Sequence, residues 1–226
     1  MALILNIETA TSACSVALAK DGKVIAAKET NDGQVHAEKI TVFIKEVLEQ
    51  ASVSFKDLDA IAVGTGPGSY TGLRIGTATV KGLCYSLDKP LIAVPTLKAM
   101  AQGAAEKLNR NDVLYCPMVD ARRLEVYTAL FDSTGKEILP VQAKILDAIS
   151  FSEYAAIAFF GDGMPKMREL FANDSSKIWI DDICASALNM CRMAEDMFAA
   201  KTFSDVAYYE PFYLKDFVAG KKVITE

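Results

Sequence analysis

The 226-residue chain has a single histidine, His36, and this scarcity excludes several kinds of active site. Zinc sites that use two histidines of one helix, as in HExxH enzymes, cannot form. A Ser-His-Asp or Cys-His catalytic arrangement would depend on His36, and no nucleophile in a recognisable elbow accompanies it. We therefore interpret His36 as a residue of the surface or of a helix start.

The sequence also lacks a disulfide framework. Its cysteines are odd in number, widely spaced and without a CxxC pair: Cys14, Cys84, Cys116, Cys184 and Cys191. Most of them have apolar neighbours, among which a free cysteine behaves as a small hydrophobic residue. This pattern predicts reduced core thiols in a cytoplasmic protein.

Long apolar runs and an excess of positive charge are missing as well. No stretch approaches the roughly 20 apolar residues that cross a bilayer, and the first apolar segment lacks the basic residues of a signal peptide. The 24 Lys+Arg and 29 Asp+Glu residues give a formal net charge of −5, which excludes a generally basic nucleic-acid binder. With 51% hydrophobic residues, the composition is typical of a compact globule of one large or two small domains.

The first 95 residues alternate between strand-like and helix-like patterns. Asp21-Gly22 separates two short apolar segments and predicts a hairpin turn. Residues 37–51 carry apolar side chains at helical spacing, and Val42 is apolar outside the main stripe. The predicted order is β-β-β-α-β-α-β, with strands at 2–7, 13–19, 24–29, 59–64 and 91–94 and helices at 37–51 and 71–86.

The second half resembles a reduced copy of this plan. An aromatic-rich stretch at 208–217 predicts a tail that packs on the protein surface. We therefore predict two similar α/β lobes, a first domain of residues 1–95 and a smaller second domain of residues 96–226. The predicted strands lie at 113–119, 125–131, 157–160 and 178–180, and the predicted helices at 166–171 and 184–200.

A first candidate site lies at the tip of the first predicted strand and consists of Glu8, Thr9, Thr11 and Ser12. An acid followed by small hydroxyl residues in a strand–turn–strand could hold a magnesium-bound phosphate. Hydroxyl residues are also common in turns because they bind the local backbone. We favour this structural interpretation, which leaves the four residues as a possible vestigial phosphate loop.

A second candidate is the segment GTGPGSYTGLRIG (64–76), between a predicted strand and a predicted helix. Glycines there could let backbone N–H groups approach an anion. The segment is neither a Walker loop nor a Rossmann fingerprint, because the lysine and the required glycine spacing are missing. Each glycine inside the helix costs about 1 kcal/mol of helix propensity. The small residues therefore predict close approach of a neighbouring helix or of a second protein: Gly72, Gly76, Ala78 and Gly82.

A third candidate, DARRLEVY (120–127), places opposite charges between two predicted strands. We favour a carboxylate–guanidinium network that holds the turn, as ion pairs commonly do in loops. An arginine that faces a phosphate is the alternative.

The motifs together, in this order, resemble the TsaB (YeaZ) family of bacterial tRNA threonylcarbamoyladenosine biosynthesis proteins. The matching segments are IETATSACSVAL (7–18), VHAE (35–38), GPGSYTGLRIG (66–76), KGL (81–83), VPTLKAMA (94–101), DARRLEVY (120–127) and EPFYLKD (210–216). The departures are Glu8 where the family usually has Asp, Tyr70 where Phe is usual and Lys215 where Arg is usual. The first departure weakens an inherited metal–phosphate role.

The resemblance implies a two-lobed actin-like, Hsp70-like and sugar-kinase-like (ribonuclease H-like) α/β fold with a reduced second lobe. It implies a cytoplasmic, non-catalytic subunit without cofactor or metal, which acts on tRNAs that read codons starting with A. TsaB-like proteins pair with a larger paralogue, TsaD, which carries the metal-binding histidines, and an ATPase, TsaE, joins the pair. A glycoprotease role is disfavoured, because neither a nucleophile–base pair nor an activated metal-bound water is visible.

In this family the first two helices form the surface that pairs with TsaD, or with a second TsaB copy when TsaD is absent. By this resemblance we expect contact with tRNA only indirectly, through the complex. A nucleotide-binding protein or weak ATPase of the actin-like superfamily is the alternative, and Phe160-Gly161-Asp162-Gly163 is its only candidate adenosine loop. The predicted partner interface consists of Lys39, Val42, Phe43, Glu46, Arg74, Thr77, Ala78, Lys81 and Tyr85.

Overall fold

The computed structural model describes residues 2–32, 36–168, 170–171 and 177–215. Val35 of the VHAE motif and Asp216 of the EPFYLKD motif lie outside the described residues. The end of the predicted second domain and of the predicted tail, residues 216–226, also lies outside them.

The first lobe is built on sheet A, whose strands have the spatial order β3-β2-β1-β4-β5. The first three strands form an antiparallel meander, and the last two add in parallel. Asp21 and Gly22 both have positive φ, as a tight hairpin turn requires, so the predicted meander is confirmed. The strands are β1 (Leu3–Glu8), β2 (Cys14–Lys20), β3 (Lys23–Thr30), β4 (Ala60–Gly64) and β5 (Leu91–Val94).

Two helices pack on one face of sheet A. Helix α1 (His36–Gln50) lies mainly over β2 and β3, and α2 (Tyr70–Leu87) lies over β4 and contacts α1. The apolar stripe of α1, which includes Ile40 and Ile44, is buried in one core with the inward side chains of the strands. The helical spacing of these apolar residues therefore determines which face of α1 meets the sheet.

The second lobe is built on sheet B, which has the spatial order β10-β9-β6-β7-β8. Its strand β6 pairs antiparallel with β7 and parallel with β9, just as β1 pairs with β2 and β4. Both sheets therefore have the same topology, and the prediction of two similar lobes is confirmed. The strands are β6 (Leu114–Asp120), β7 (Glu125–Phe131), β8 (Glu137–Ile145), β9 (Ile157–Phe160) and β10 (Lys177–Ile180).

Among the described residues, the second lobe differs from the first in the helices of its connections and not in its number of strands. The connection between β8 and β9, which corresponds to the position of α1, contains only turns. In the described part of the next connection, the four-residue α4 (Pro165–Arg168) stands where the first lobe has the 18-residue α2. Helix α3 (Thr96–Leu108) packs on sheet B through Leu97 and Met100.

After β10 the chain returns to the first lobe. A 3₁₀ turn (Ala187–Met190) and helix α5 (Cys191–Ala199) pack on the face of sheet A opposite α1 and α2, against Ile4 and Ala62. Ser204 then forms a bridge with Leu91, at the edge of the same sheet. The lobes are therefore not two consecutive stretches of chain that meet at residue 95.

Three elements differ from the sequence prediction. Helix α3 and strand β8 were not predicted, because the buried face of α3 is rich in alanine and β8 is an exposed edge strand that contains Pro140. The helix predicted at 184–200 begins later, with the 3₁₀ turn, because the Ser186 hydroxyl accepts a hydrogen bond from Leu188 N–H and caps that turn.

All five cysteines are free thiols, as expected for a protein without disulfide bonds. Cys14, Cys84, Cys116 and Cys191 are buried and free, and Cys184 is half-buried. Burial raises the pKa of Cys14 to about 11 and that of Cys116 to about 12. Both thiols are therefore protonated and unreactive at neutral pH, as the sequence predicted.

Candidate functional site

A cleft of about 1350 Å³ lies between the two lobes. Residues 10–12 of the β1–β2 turn and residues 68–72 at the start of α2 line its first-lobe side. Residues 120–122 of the β6–β7 turn line the other side, and residues 213–215 of the tail border it. Since β6 and β7 are the topological counterparts of β1 and β2, the two turns are equivalent elements that face each other across the cleft.

Glu8, at the end of β1, is enclosed behind the first of these turns. It is 1% exposed, and its Oε1 accepts hydrogen bonds from the N–H groups of Thr9 and Ala10, both at 2.8 Å. Its Oε2 accepts a hydrogen bond of 2.9 Å from the Thr96 hydroxyl, which accepts one of 3.0 Å from Gly66 N–H. Burial raises the pKa of Glu8, and these hydrogen bonds oppose the rise. Glu8 thus ties the turn to the start of α3.

Thr9 and Ala10 anchor the start of α2 directly on the turn. The Thr9 hydroxyl donates to the Gly72 carbonyl oxygen at 2.9 Å, and Ser69 N–H donates to the Ala10 carbonyl oxygen at 2.6 Å. A Cβ at Gly72 or Gly76 would overlap Thr9. These two glycines therefore serve contact with the turn of their own lobe, which differs from the predicted neighbouring helix or second protein.

Thr11 and Ser12 complete the turn. Thr11 is 6% exposed and its hydroxyl accepts a hydrogen bond from Ala13 N–H, whereas Ser12 is exposed at the cleft. A phosphate in this turn would need free backbone N–H donors. Of the N–H groups of this turn, those of Thr9 and Ala10 are engaged by Glu8 and that of Ala13 by Thr11, so a phosphate would depend on those of Thr11 and Ser12.

The second-lobe turn contains two arginines with left-handed backbone, Arg122 (φ 71°) and Arg123 (φ 52°). Such backbone costs about 1–3 kcal/mol for each residue other than glycine. The cations that hold the turn are lysines: Lys166 donates to Asp120 at 2.8 Å, and Lys215 pairs with Glu125. Neither arginine has an ion pair within the described part of the chain. The predicted carboxylate–guanidinium network is thus replaced by carboxylate–ammonium pairs.

The loop after β9 packs against the same turn. Gly163 N–H donates to the Met118 carbonyl oxygen at 3.0 Å, and a Cβ at Gly161 would overlap that carbonyl group. Asp162 accepts a hydrogen bond from Asp120 N–H at 3.1 Å. The glycines of Phe160-Gly161-Asp162-Gly163 therefore serve close backbone packing against β6.

The C-terminal tail crosses from the first lobe to the second. Phe212 N–H donates to the Thr65 carbonyl oxygen at 2.8 Å, and the Tyr213 ring lies 4.8 Å from that of Tyr70. The Arg74 guanidinium lies 4.2 Å over the Tyr70 ring, and a hydrogen bond with Tyr213 raises the pKa of Arg74. Together with the Lys215–Glu125 pair, these contacts hold the tail along the cleft, which confirms the predicted packed tail for its described residues.

On α1, the residues of the predicted partner interface differ in exposure. Lys39 and Val42 are exposed, and Phe43 is half-buried against the first-lobe core. Glu46 is half-buried and forms an ion pair of 3.2 Å with Lys28 of β3. Lys39 and Val42 are thus the α1 residues of this set that are most available to a partner.

On α2, Arg74, Ala78 and Tyr85 are exposed, whereas Thr77 is buried. Lys81 is half-buried and holds the tail, since its ammonium donates to the carbonyl oxygens of Ala207 and Tyr209 at 2.9 and 3.1 Å. Lys81 therefore has contacts within the chain that account for it, and the burial of Thr77 makes it less available to a partner than Arg74, Ala78 and Tyr85.

Gly82 is the one glycine of α2 without a contact that explains it. A Cβ at this position would meet no atom of the described residues within 4 Å. Gly82 lies one turn after the exposed Ala78, on the same outward side of the helix. The outward face of α2, which we define as Arg74, Ala78, Gly82 and Tyr85, thus combines two large and two very small side chains.

Within the described ranges, no group of three or more His, Cys, Asp or Glu side chains is arranged to hold a metal ion. None of the described helices has the length and apolar character of a membrane span.

Comparisons with known proteins agree with this architecture. The family model TsaD, described as tRNA N6-adenosine threonylcarbamoyltransferase, matches residues 24–219. The tRNA threonylcarbamoyladenosine biosynthesis protein TsaB of Escherichia coli K12 is 34% identical over 229 residues, which cover 97% of each chain. YeaZ from Pseudomonas aeruginosa superposes with a TM-score of 0.77 at 26% identity, over 95% of this chain and 100% of that one.

A more distant structure shows the fold alone. The Clostridium difficile activator of 2-hydroxyisocaproyl-CoA dehydratase, solved with bound ADPNP, has a TM-score of 0.54 at 10% identity over 88% of this chain and 97% of that one. The duplicated sheets and the cleft between them are thus those of the actin-like, sugar-kinase-like ATPase fold.

Within that fold, the chain belongs to the TsaB (YeaZ) family of tRNA threonylcarbamoyladenosine biosynthesis proteins. This confirms the resemblance seen in the sequence motifs.

Some residues that organise the cleft were missed by sequence reasoning. Thr96 binds Glu8 across 88 positions of chain, and Lys166 binds Asp120 across 46. Thr96 lies within the VPTLKAMA motif that carried the family resemblance, and this is the only signal that could have singled it out. No local pattern marks Lys166.

Proposed function

We propose that this chain is a non-catalytic subunit that pairs with a TsaD-family protein and, together with TsaE, supports threonylcarbamoyladenosine modification of tRNAs that read codons starting with A. Pairing uses the outward face of α2 and the exposed residues of α1, Lys39 and Val42. A second copy of the chain occupies the same surface when the TsaD-family protein is absent. Because this role is in tRNA modification, we place the chain in the cytoplasm.

Gly82 is the observation that carries the proposal. A glycine inside a helix is less stable than alanine by about 1 kcal/mol, and Gly82 has no contact with a described residue that needs its small size. A partner helix that approaches closely at Ala78 and Gly82 supplies the missing reason, since small residues allow close approach between backbones. The neighbouring exposed apolar side chains of Val42 and Tyr85 add area to such a contact.

The state of the cleft supports a non-catalytic role. Three backbone donors of the first-lobe turn, the N–H groups of Thr9, Ala10 and Ala13, are bound to the side chains of Glu8 and Thr11 rather than available to a phosphate. The chain's one histidine, His36, is 7% exposed and lies 3.1 Å from the Ala13 carbonyl oxygen. A nucleotide-binding protein or weak ATPase, the alternative function, therefore has less support.

The proposal is tested by introducing a large charged side chain on the outward face of α2. We expect Ala78→Arg to weaken association with the TsaD-family protein of the same organism by at least about 30-fold, as loss of an interface hot spot does. Association is measured by calorimetry and by complex mass. tRNA modification is assayed with TsaE and the threonylcarbamoyl donor present.

Ala199→Arg is the matched control, because Ala199 is exposed at the end of α5 on the opposite face of sheet A. Both variants should keep a cooperative melting transition. Unchanged association of Ala78→Arg would show that the outward face of α2 is not the interface. ATP hydrolysis by the chain alone, without response to the TsaD-family protein, would favour the alternative function.

A further inference from the structure

Two tyrosines of the first lobe are unusually exposed. Tyr85 of α2 is 86% exposed and Tyr208 of the tail is 85% exposed, the highest values among the large hydrophobic side chains of the described residues. We propose that Tyr208 and Tyr85 form one binding surface for the TsaD-family partner, so that the interface extends from the helices onto the C-terminal tail. This inference rests on the proposed function and adds the tail to its interface.

Lys81 brings the two tyrosines to one place. It lies one helical turn before Tyr85, on the same side of α2. Its ammonium binds the carbonyl oxygens of Ala207 and Tyr209, the residues on either side of Tyr208. Lys81 thus sets the position of an exposed residue that is more than 120 positions away in sequence.

The turn that carries Tyr208 is held from within. The Asp205 carboxylate accepts hydrogen bonds from the N–H groups of Ala207 at 2.8 Å and Tyr208 at 3.2 Å. Tyr209 N–H donates to the Asp205 carbonyl oxygen at 2.8 Å, and the Tyr209 ring is buried in the first-lobe core. Tyr208 is therefore presented to solvent by an ordered backbone, so that little conformational entropy is lost when a partner binds it.

The chemistry of the surface favours a protein partner. Tyrosine is enriched among residues that dominate interface energies, because its rigid ring supplies large contact area at low entropic cost. Tyr85 continues the outward face of α2, where Ala78 and Gly82 permit close approach. The tyrosine pair therefore extends the proposed interface and is not a separate patch.

The charges beside Tyr208 favour the TsaD-family protein over a second copy. Asp205 and Glu210 are exposed acidic residues within three positions of Tyr208, and the whole chain has a net charge of −5. A partner with basic residues around an apolar pocket complements these acidic residues, whereas a second copy of the chain adds charge of the same sign.

The test measures the affinity of the full chain for the TsaD-family protein of the same organism by calorimetry. We expect Tyr208→Ala to weaken binding by about 30-fold, the size of a hot-spot change. The control is Ile149→Ala, which removes a side chain that is 73% exposed on the second lobe, and it should bind as the wild type does. Because Tyr208 is exposed, its replacement should leave the melting temperature unchanged.

The outcomes separate this inference from the proposed function. If Ala78→Arg abolishes binding and Tyr208→Ala binds as the wild type does, the extension onto the tail is wrong and the helix interface stands. If neither variant changes binding, the proposed interface itself is wrong. If Tyr208→Ala disrupts only the homodimer mass of the isolated chain, the occupant is a second copy and the assignment to the TsaD-family protein is overturned.

Discussion

Burial of the Glu8 side chain disfavours the charged form of its carboxylate. Desolvation raises its pKa above the usual value of a glutamate, although hydrogen bonds from Ala10, Thr96 and Thr9 lower it. A folded pKa above the unfolded value means that the native state holds this proton to higher pH than the unfolded state does. The contribution of Glu8 to stability is therefore fully present below the unfolded pKa, and it is lost as pH rises through the folded pKa.

Replacing Glu8 by glutamine should remove this pH dependence. Glutamine keeps an oxygen that accepts from Thr9 and Ala10 N–H but carries no titrating proton. We expect the unfolding free energy of Glu8→Gln, relative to that of the wild type, to increase as pH rises from about 4.5 to 8. Urea unfolding at several pH values measures this difference.

Glu153→Gln provides the control for this experiment, because Glu153 is exposed. Its unfolding free energy should stay parallel to that of the wild type over the same pH range. A constant difference between Glu8→Gln and the wild type would contradict the raised pKa of Glu8.

At the scale of one element, the glycines of helix α2 have different surroundings, so different causes account for their small size. Gly72 and Gly76 face the β1–β2 turn, where a side chain would overlap Thr9. Gly82 faces open space. Sequence spacing alone could not separate these cases, because both kinds of glycine lower helix propensity equally.

The two kinds of glycine predict opposite effects of the same substitution. Gly76→Ala should destabilise the isolated chain by about 1–3 kcal/mol through overpacking against Thr9. Gly82→Ala should stabilise it by about 0.5–1 kcal/mol, because alanine favours the helix and meets nothing. Chemical unfolding of both variants measures the effects.

Each of these variants serves as the control for the other, since the substitution and the helix are the same. Destabilisation by Gly82→Ala would contradict the open surroundings of that position. A neutral Gly76→Ala would show that the β1–β2 turn yields to an added methyl group.

At the scale of the whole molecule, two sheets of identical strand order enclose a cleft between the lobes. Within its described residues, the second lobe has the five strands of the plan, but turns and the four-residue α4 stand at the positions of α1 and α2. The first lobe keeps α1 and α2, and their outward surfaces remain available. This unequal retention favours a protein that works through a surface over one that closes its lobes around a substrate.

The net charge of −5 leads to a prediction about RNA. Binding of nucleic acid depends largely on cations that neutralise phosphates. We expect no saturable tRNA binding by the chain alone up to about 10 µM at physiological salt, since even non-specific binders reach only about 10⁻⁴–10⁻⁶ M. Filter binding or fluorescence anisotropy over a salt series measures this.

The complex with the TsaD-family protein is the comparison in that experiment, and it should bind tRNA with a clear dependence on salt. Micromolar affinity of the isolated chain at physiological salt would mean that this subunit contacts tRNA directly. The exposed arginines of the second-lobe turn, Arg122 and Arg123, would then be the first residues to replace.

The sequence alone determined the first-lobe elements, the duplicated plan of strands and the family. The alternation of apolar residues, the Asp21-Gly22 turn and the stripe of α1 act over a few residues, so local patterns suffice to predict them. The motifs added the family, because their order along the chain is specific. The weakly patterned α3 and the edge strand β8 escaped this reasoning, since alanine faces and exposed strands give little periodic signal.

Only the tertiary structure decided what the candidate site residues do. Glu8 meets Thr96, Gly76 meets Thr9, and Lys81 meets the tail, each across 67 or more positions of chain. Whether a residue is enclosed or presented depends on such distant partners, which no local pattern contains. Such partners enclose Glu8 behind the β1–β2 turn, whereas Ala78, Gly82 and Tyr85 of α2 remain exposed.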